Sequence, residues 1–208
     1  MVITYAGGNC FKLSAGDVTL ALNPPSARSQ VKVSKFGADV ILVSSHHEDW
    51  NGVETATHAS REPFVINGPG AYEVGDVVVT GYATEGAQVG ETSEFGNTAY
   101  FIEFDGMSIL VLGALSSPKL SSDMRGDLNN VDIVFVPIGG ATLDPKGAHD
   151  LVVSLETKLV IPYGVGKNGA DEVKAFVKGE GSDVKAVEKL TLRAKEVALM
   201  SGDIALLK

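Results

Sequence analysis

The sequence has 208 residues, 44% of them hydrophobic and 21% charged, a size and composition that exclude a disordered chain, a fibrous protein and a mini-protein scaffold. Seventeen Lys and Arg against 26 Asp and Glu give a net charge of −9, which disfavours electrostatic binding to nucleic acid or to an anionic membrane surface. The single cysteine cannot form an internal disulfide, and the first residues lack the basic start and apolar stretch of a signal peptide. We therefore expect a cytoplasmic protein, and no apolar run is long enough to span a bilayer.

Short β-branched runs separated by turn residues predict a β-rich protein. The runs alternate with Gly-Gly, Ala-Gly-Asp and Asn-Pro-Pro turns, and Asp105-Gly106 predicts a tight hairpin. Two later runs are apolar throughout, as in strands that are buried on both faces. The predicted strands are 2–5, 10–13, 18–22, 40–44, 64–66, 71–74, 77–80, 98–104, 108–112, 133–137, 159–162, 190–192 and 197–199.

Two helices are predicted in the last third of the chain. Asp144 followed by Pro145 is typical of a helix N-cap and first helical position, and apolar residues then recur at helical spacing through Leu155. The second helix is predicted over 170–178. Sheets flanked by helices form a layered α/β sandwich, and no linker or repeat divides the chain, so one domain over residues 1–208 is predicted. The glycine-containing stretch 85–97 is a candidate for a mobile rim over a site.

A buried strand that runs into a loop rich in histidine and aspartate is the main candidate functional feature. It has the sequence ILVSSHHEDWNG over residues 41–52, and it resembles the metal-binding strand end of the metallo-β-lactamase superfamily. Further motifs of that superfamily are resembled, in the expected order, by segments 5–11, 68–74, 97–100, 132–140 and 159–162, the first of them as in its ascorbate-phosphate-lactonase-like branch. The resemblance covers about residues 1–165 and implies a four-layer αββα sandwich.

The resemblance also implies a reaction and a set of metal ligands. Members of the superfamily hydrolyse esters, lactones, phosphodiesters or amides with a metal-bound hydroxide, because the metal lowers the pKa of its bound water to roughly 7. Two metals are held by a His-x-His-x-Asp-His segment, a later histidine, a bridging aspartate and a final histidine. In this sequence those positions fall on Ser45, His47, Asp49, Trp50, Glu85, Ala114 and Gly164, and two supporting positions fall on Gly8 and Asn23.

Most of these positions lack the donor atoms that a metal needs. One site keeps His47 with Glu85 and the other keeps Asp49, whereas a zinc site in a protein usually has three or four protein ligands. We therefore predict a pseudoenzyme with a degenerate zinc site and no cofactor, acting as a binding or interaction protein. Its ligand, a small molecule or a protein, is left open, as is assembly into a homo-oligomer. The cleft is predicted to be lined by Ser45, His46, His47, Asp49, Trp50, Glu85, Ala114, Tyr163 and Gly164.

A metal-dependent hydrolase with a rearranged mononuclear site is the alternative. His46 or His47, together with Asp49 and Glu85, would hold one zinc or another divalent metal and act on a small lactone, ester or phosphoester. Neighbouring residues of one loop rarely point to one centre, which weighs against this arrangement. Without a metal, the loop carboxylates would be general acid or base candidates, but no pattern in the sequence indicates the burial that would shift their pKa.

Cys10, the only thiol, raises a further hypothesis. It could serve as a nucleophile with His46 or His47 as its base. Free cysteine is, however, among the most buried residue types in proteins, which favours a packing role for Cys10 at the end of a strand.

Overall fold

Two β-sheets stack face to face in a computed structural model that describes residues 1–58, 61–87, 96–164, 169–177 and 184–208. The strands are β1 Val2–Gly7, β2 Cys10–Ala15, β3 Val18–Leu22, β4 Val40–Leu42, β5 Phe64–Ile66, β6 Gly70–Val74, β7 Val77–Thr84, β8 Asn97–Phe104, β9 Met107–Val111, β10 Ile133–Pro137, β11 Leu159–Tyr163, β12 Lys189–Thr191 and β13 Asp203–Ile204. The helices are α1 Ser122–Asp127, α2 Pro145–Ser154, α3 Gly169–Val177 and α4 Ala194–Val197, and a short 3-10 helix spans Val53–Thr55. In the described part of the chain, no helix combines the length and apolar character that crossing a bilayer requires.

The first sheet has six strands in the order β12-β1-β2-β3-β4-β5. Strands β1, β2 and β3 pair antiparallel through short turns, whereas β3, β4 and β5 pair in parallel. A parallel pair requires a crossover connection, which brings the carboxyl ends of β3 and β4 to the same edge of the sheet. The segments that leave these two ends carry Asn23 and the loop 43–50.

The second sheet has seven strands in the order β13-β11-β10-β9-β8-β7-β6. Strands β6 to β9 form an antiparallel meander, and β9, β10, β11 and β13 run parallel. The hairpin between β8 and β9 confirms the prediction, because Asp105 and Gly106 have φ of 53° and 71°, as a type I′ turn requires. The carboxyl ends of β7, β9 and β11 lie at the edge where the Thr98 backbone N–H donates to the Ser44 carbonyl of the first sheet (2.8 Å).

One apolar core lies between the sheets and a second lies between the second sheet and the helices. Strands β10 and β11 contribute to both cores. Phe135 and Ile161 face the first sheet, whereas Val134 and Val160 face the helices. Burial on both faces explains why these two strands are apolar throughout, as predicted from the sequence.

The predicted α/β sandwich is confirmed, and its two outer layers differ in size. Helices α1, α2 and α3 cover the second sheet. On the outer face of the first sheet, Ile41 and Val43 pack against Phe36 of the β3–β4 connection and Val53 of the 3-10 helix. Helix α2 begins as predicted, with the Asp144 carboxylate accepting from the Gly147 backbone N–H (2.7 Å) and proline at the first helical position.

The prediction of a strand over 197–199 is wrong, because α4 ends at Val197 and a turn follows over 198–199. The Arg193 backbone N–H donates to the Glu196 carboxylate (3.2 Å), which stabilises the start of the helix. A strand would place Val197 and Leu199 on one face, but Val197 is buried and Leu199 is 88% exposed. Helix α1 and strand β13 were not predicted. The predicted end of the second helix at 178 and the stretch 88–95 of the candidate rim lie outside the described residues.

Candidate functional site

Buried amide groups hold the strand ends that carry the candidate site. The backbone N–H of Asn23 donates to the carbonyl of Leu42 (2.8 Å), and its side-chain Oδ1 accepts from the backbone N–H of Ser44 (3.0 Å). Asn23 has a φ of 48°, a conformation that asparagine adopts more readily than most residues. The Asn23 side chain therefore fixes the direction in which the chain leaves β4.

Asn97, at the start of β8, joins three segments of this edge. Its Oδ1 accepts from the backbone N–H of Ala114 (2.7 Å), and its Nδ2 donates to the carbonyl of Leu112 (2.9 Å) and to Thr84 Oγ1 (2.7 Å). The residue is buried, so these bonds lie away from water. Asn97 was not among the predicted site residues, although an asparagine where a loop enters a strand is a typical signal of such local bonding.

Tyr163 holds the loop after β9 from the other side. Its hydroxyl donates to the carbonyl of Gly113 (2.5 Å), and burial raises its pKa, so the hydroxyl stays protonated. Gly113 has a φ of 63°, and a Cβ there would lie 2.6 Å from Ser44 Oγ, so the position requires glycine. We call Asn23, Ser44, Asn97, Gly113 and Tyr163 the frame.

His47 and Asp49 lie close together, and their hydrogen bonds join them to their own loop and to the connection between β3 and β4. The backbone N–H of Asp49 donates to His47 Nδ1 (3.2 Å), and Asp49 Oδ2 lies 3.7 Å from the same nitrogen. Asp49 Oδ1 accepts from the hydroxyl of Ser29, a fully buried residue of the connection between β3 and β4. The Asp49 carboxylate therefore ties two loops together, and His47 Nδ1 is used as an acceptor.

An apolar cluster of Trp50, Ala87 and Ala114 occupies the centre of the edge. The three residues are 7%, 2% and 2% exposed, and the Ala87 backbone N–H donates to the Ala114 carbonyl (2.8 Å). The Trp50 ring meets the His47 ring at a steep angle, with the centroids 5.4 Å apart. Trp50 Nε1 has no hydrogen-bond partner among the described residues. This apolar cluster therefore puts carbon atoms at two positions that the resemblance assigns to metal ligands.

The other predicted donors are not gathered around a common point. The Glu85 side chain is exposed, and its backbone carbonyl accepts from the Ser116 N–H (3.1 Å). Gly164 has no side chain, and a Cβ there would lie 3.1 Å from Asn9 Oδ1. Across the residues that the structure describes, no three or more His, Cys, Asp or Glu are placed to hold a metal ion. The predicted ligand set of His47, Asp49 and Glu85 therefore does not form such a group.

A cavity of about 230 Å³ lies beside the frame, and Ser45 and His46 line it. No Asp, Glu, Lys or Arg is among its described lining residues. Ser44 Oγ is buried and has no hydrogen-bond partner in the described part of the chain. The cavity therefore presents hydroxyl, amide and imidazole groups, which both donate and accept hydrogen bonds. Its other polar lining residues are Asn67, Thr84, Asn97 and Thr98.

Cys10 is fully buried at the start of β2, as its predicted packing role requires. Burial raises the pKa of its thiol to about 12. The thiolate that a nucleophile needs is therefore scarce near neutral pH. This disfavours the hypothesis that Cys10 reacts with His46 or His47 as its base.

Comparisons with known proteins place these observations in a family. A sequence profile described as the Beta-lactamase superfamily domain matches residues 2–164. A UPF0173 metal-dependent hydrolase of Listeria innocua is 27% identical over 195 residues, and one of Bacillus cereus is 25% identical over 194 residues. Each of these alignments covers 78% of this chain and 84% of the relative.

Solved structures share the fold. A candidate Zn-dependent hydrolase of the metallo-β-lactamase superfamily from Thermotoga maritima superposes with a TM-score of 0.78 at 24% identity, over 99% of this chain and 97% of that chain. A metal-dependent hydrolase candidate from Parabacteroides distasonis gives a TM-score of 0.65 at 18% identity, over 88% and 90% of the two chains. At these identities the likeness establishes the fold and not the activity.

The names of these relatives contradict one prediction. The sequence predicts no cofactor, whereas the relatives are named for their dependence on metal. That prediction is wrong, and a divalent metal is the cofactor that the family implies. The residues present nevertheless do not fit a two-metal centre, because the side chains of Trp50, Ala114 and Gly164 provide no metal ligand.

Proposed function

The chain belongs to the β-lactamase superfamily, and on that premise we propose that it is a non-catalytic member that binds a small molecule at the strand edge described above. The apolar cluster carries the proposal. Hydrolysis on this fold depends on a metal-bound hydroxide, and the buried Trp50 indole with the methyl groups of Ala87 and Ala114 supplies neither a metal ligand nor a polar space for that hydroxide.

The frame favours a binding role for this edge, because it holds the cavity walls in place. Within the frame, the Asn97 side chain makes three hydrogen bonds at 2.7–2.9 Å, and buried hydrogen bonds of this kind fix the segments that they join. The frame holds the walls of the cavity that Ser45 and His46 line. Because that lining has no charged side chain among its described residues, the proposed ligand is a neutral molecule rich in hydroxyl or amide groups.

The names of the relatives favour a second candidate, a metal-dependent hydrolase. In that case one divalent metal would be held by His46 or His47 with Asp49 and Glu85. If His47 is the ligand, its Nδ1 would no longer accept from the Asp49 backbone N–H, whereas Asp49 would bind the metal through Oδ2 and keep its Oδ1 bond to Ser29. The first proposal concerns hydrolysis alone and does not depend on whether an ion occupies the edge.

Turnover with added metal separates the two candidates. Purified protein is assayed with chromogenic ester, lactone and phosphodiester substrates in the presence of Zn²⁺, Mn²⁺ or Fe²⁺. The proposal expects rates no higher than those of buffer with the same metal. Metal-dependent turnover that is lost in His47→Ala and Asp49→Ala, and kept in Asp17→Ala at an exposed turn, would establish the hydrolase instead.

Binding is tested separately by NMR titration with a neutral polyol, myo-inositol, and with a charged compound of similar size, gluconate. We expect myo-inositol to shift the backbone amides of Ser45, His46 and Thr98, and gluconate to shift them less. His46→Ala should weaken the response, whereas His58→Ala, which removes an exposed histidine outside the cavity lining, should leave it unchanged. Shifts confined to other parts of the protein would contradict the assignment of the ligand to this cavity.

A further inference from the structure

Strand β6 is the last strand of the second sheet, and its outer side is open. Among the described residues, no strand pairs with that side. The five residues of β6, Gly70–Val74, include no lysine, arginine or proline. The other terminal strands of the two sheets, β5, β12 and β13, have only two or three residues each. Because short strands, lysine and proline are the usual protection against pairing with another chain, β6 is the terminal strand of this molecule that is best suited to such pairing.

The register of β6 with β7 determines which of its backbone groups point outward. A two-residue turn joins the two strands, so the residues that flank the turn, Val74 and Val77, form a hydrogen-bonded pair. Such pairs alternate along an antiparallel ladder, so Tyr72 also bonds to β7. The backbone N–H and C=O groups of Ala71 and Glu73 therefore point away from β7, and the side chains of both residues are exposed.

A second copy of β6 fits this open side in one register. Antiparallel pairing about a twofold axis at Tyr72 sets Ala71 of each copy opposite Glu73 of the other, and every such pair exchanges its N–H···O=C bonds. An axis at Glu73 would instead place two carboxylates directly opposite each other, which is destabilising. An axis at Ala71 would place Glu73 opposite Pro69, which has no N–H to donate. The register at Tyr72 therefore satisfies the most backbone groups and keeps like charges apart.

We propose that the chain forms a weak symmetric dimer, in which β6 pairs with β6 of a second copy in the register centred on Tyr72. The pairing joins the second sheets of the two copies into one continuous sheet. The Tyr72 side chain packs toward the core between the sheets, so two tyrosines meet across the axis on that face, and aromatic cross-strand pairs stabilise sheets. A contact of five residues per copy buries much less than the roughly 1,200 Å² of a stable complex, so we expect a dissociation constant of about 0.1 mM. Strand β6 does not line the cavity proposed above as a binding site, and the dimer does not depend on the function of that cavity.

Sedimentation equilibrium of the 208-residue protein between about 10 μM and 1 mM tests the association. We expect the apparent mass to rise with concentration from the 21.7 kDa of the monomer toward that of a dimer. Amide hydrogen exchange at both concentrations locates the contact. The N–H groups of Ala71 and Glu73 should exchange more slowly at the higher concentration, whereas that of Tyr72, which bonds to β7, should change less. A protein that stays monomeric would overturn the proposal, even if a strand of another protein pairs with β6, and so would association without slower exchange at Ala71 and Glu73.

Two substitutions of Ala71 test the register, because this residue lies opposite Glu73 of the second copy. Ala71→Glu creates a like-charge pair at both ends of the contact and should raise the dissociation constant about twofold to thirtyfold. Ala71→Lys creates an opposite-charge pair at the same places and should lower the constant by a similar factor. Ala141→Glu and Ala141→Lys make the same changes in net charge at an exposed turn and should leave the constant unchanged. Equal constants for the two Ala71 variants would refute the register.

Discussion

The frame and the apolar cluster lie side by side at one edge of the molecule, yet they are built from opposite chemistry. The frame is a set of buried polar contacts in which Asn23 and Asn97 satisfy backbone groups of other segments. The apolar cluster is formed by side chains that hydrogen-bond to nothing described here: Trp50 Nε1 lacks a partner, and the two alanines end in methyl groups. Hydrogen bonds of the frame therefore hold the backbone of this edge, whereas the side chains of the apolar cluster are held by packing alone.

On the proposed function, this difference indicates which part of the strand edge can change without loss of the fold. The backbone N–H of Ala114 donates to Asn97 Oδ1 (2.7 Å), a bond that does not involve the side chain at this position. Removing the Asn97 amide would instead leave the buried Ala114 N–H and Leu112 carbonyl without partners. On the proposed function, chemistry is lost by local side-chain replacement while the architecture of the relatives is kept.

Asn97→Ala is expected to have the largest effect on stability. Three hydrogen bonds are lost and two buried backbone groups are left unsatisfied, so the free energy of unfolding should fall by about 3–4 kcal/mol. Urea denaturation followed by circular dichroism measures the change. Asn129→Ala is the control, since Asn129 donates to Gly126 in an exposed turn and should change stability by less than about 0.5 kcal/mol. Similar losses in the two variants would show that the frame does not hold the edge.

Trp50→Ala should have the next largest effect and lower the free energy of unfolding by about 2–3 kcal/mol. Truncating a core tryptophan usually costs about 3–5 kcal/mol, and the smaller value is expected because the change also removes the unpartnered Nε1. Trp50→Phe keeps a ring against Ala87 and Ala114 and loses the N–H, so it should cost less than about 1 kcal/mol. A Trp50→Phe variant as unstable as Trp50→Ala would mean that the indole N–H is bonded after all and that packing does not dominate this cluster.

Tyr163→Phe should cost about 1–2 kcal/mol, because the Gly113 carbonyl loses a buried donor at 2.5 Å. Tyr82→Phe is the matched control: its hydroxyl donates to Asp127 (2.8 Å) at the surface, and its loss should cost less than about 0.5 kcal/mol. The melting temperatures of the two variants, measured in parallel, test whether losing a hydrogen bond of the frame lowers stability more than losing an exposed hydrogen bond. An equal shift in both would contradict the role given to Tyr163.

The elements that were predicted correctly depend on local signals. Asp144 and Pro145 are neighbours in sequence, and so are Asp105 and Gly106, so helix capping and the hairpin follow from the chain itself. The apolar runs of β10 and β11 likewise report burial on two faces. Helix α4 was missed because four residues are too few to show a helical period, and Val197 and Leu199 suit either structure.

The contacts of the candidate site could not be predicted, because they join residues that are distant in sequence. Asn97 reaches Ala114 across 17 residues and Ser29 reaches Asp49 across 20, and no periodicity encodes such pairs. Ala87 was missed for the same reason. The resemblance supplied the positions of Trp50 and Ala114, whereas their packing against Ala87 became visible only once the strands were placed.

The smallest expected effect on stability is that of Cys10, and it is seen in how the free energy of unfolding depends on pH. Burial raises the pKa of the folded-state thiol to about 12, whereas an unfolded cysteine titrates near pH ~8.5. The folded state therefore holds the thiol proton more tightly than the unfolded state does. The contribution of the neutral thiol to the free energy of unfolding is fully present below about pH 8.5 and is lost as pH rises toward 12. The free energy of unfolding of the parent should therefore fall more steeply than that of Cys10→Ala, by about 1 kcal/mol between roughly pH 9 and 10. The buried tyrosines are common to both proteins and cancel in this difference, so parallel pH curves would show that the thiol is not held in the neutral form that its buried position implies.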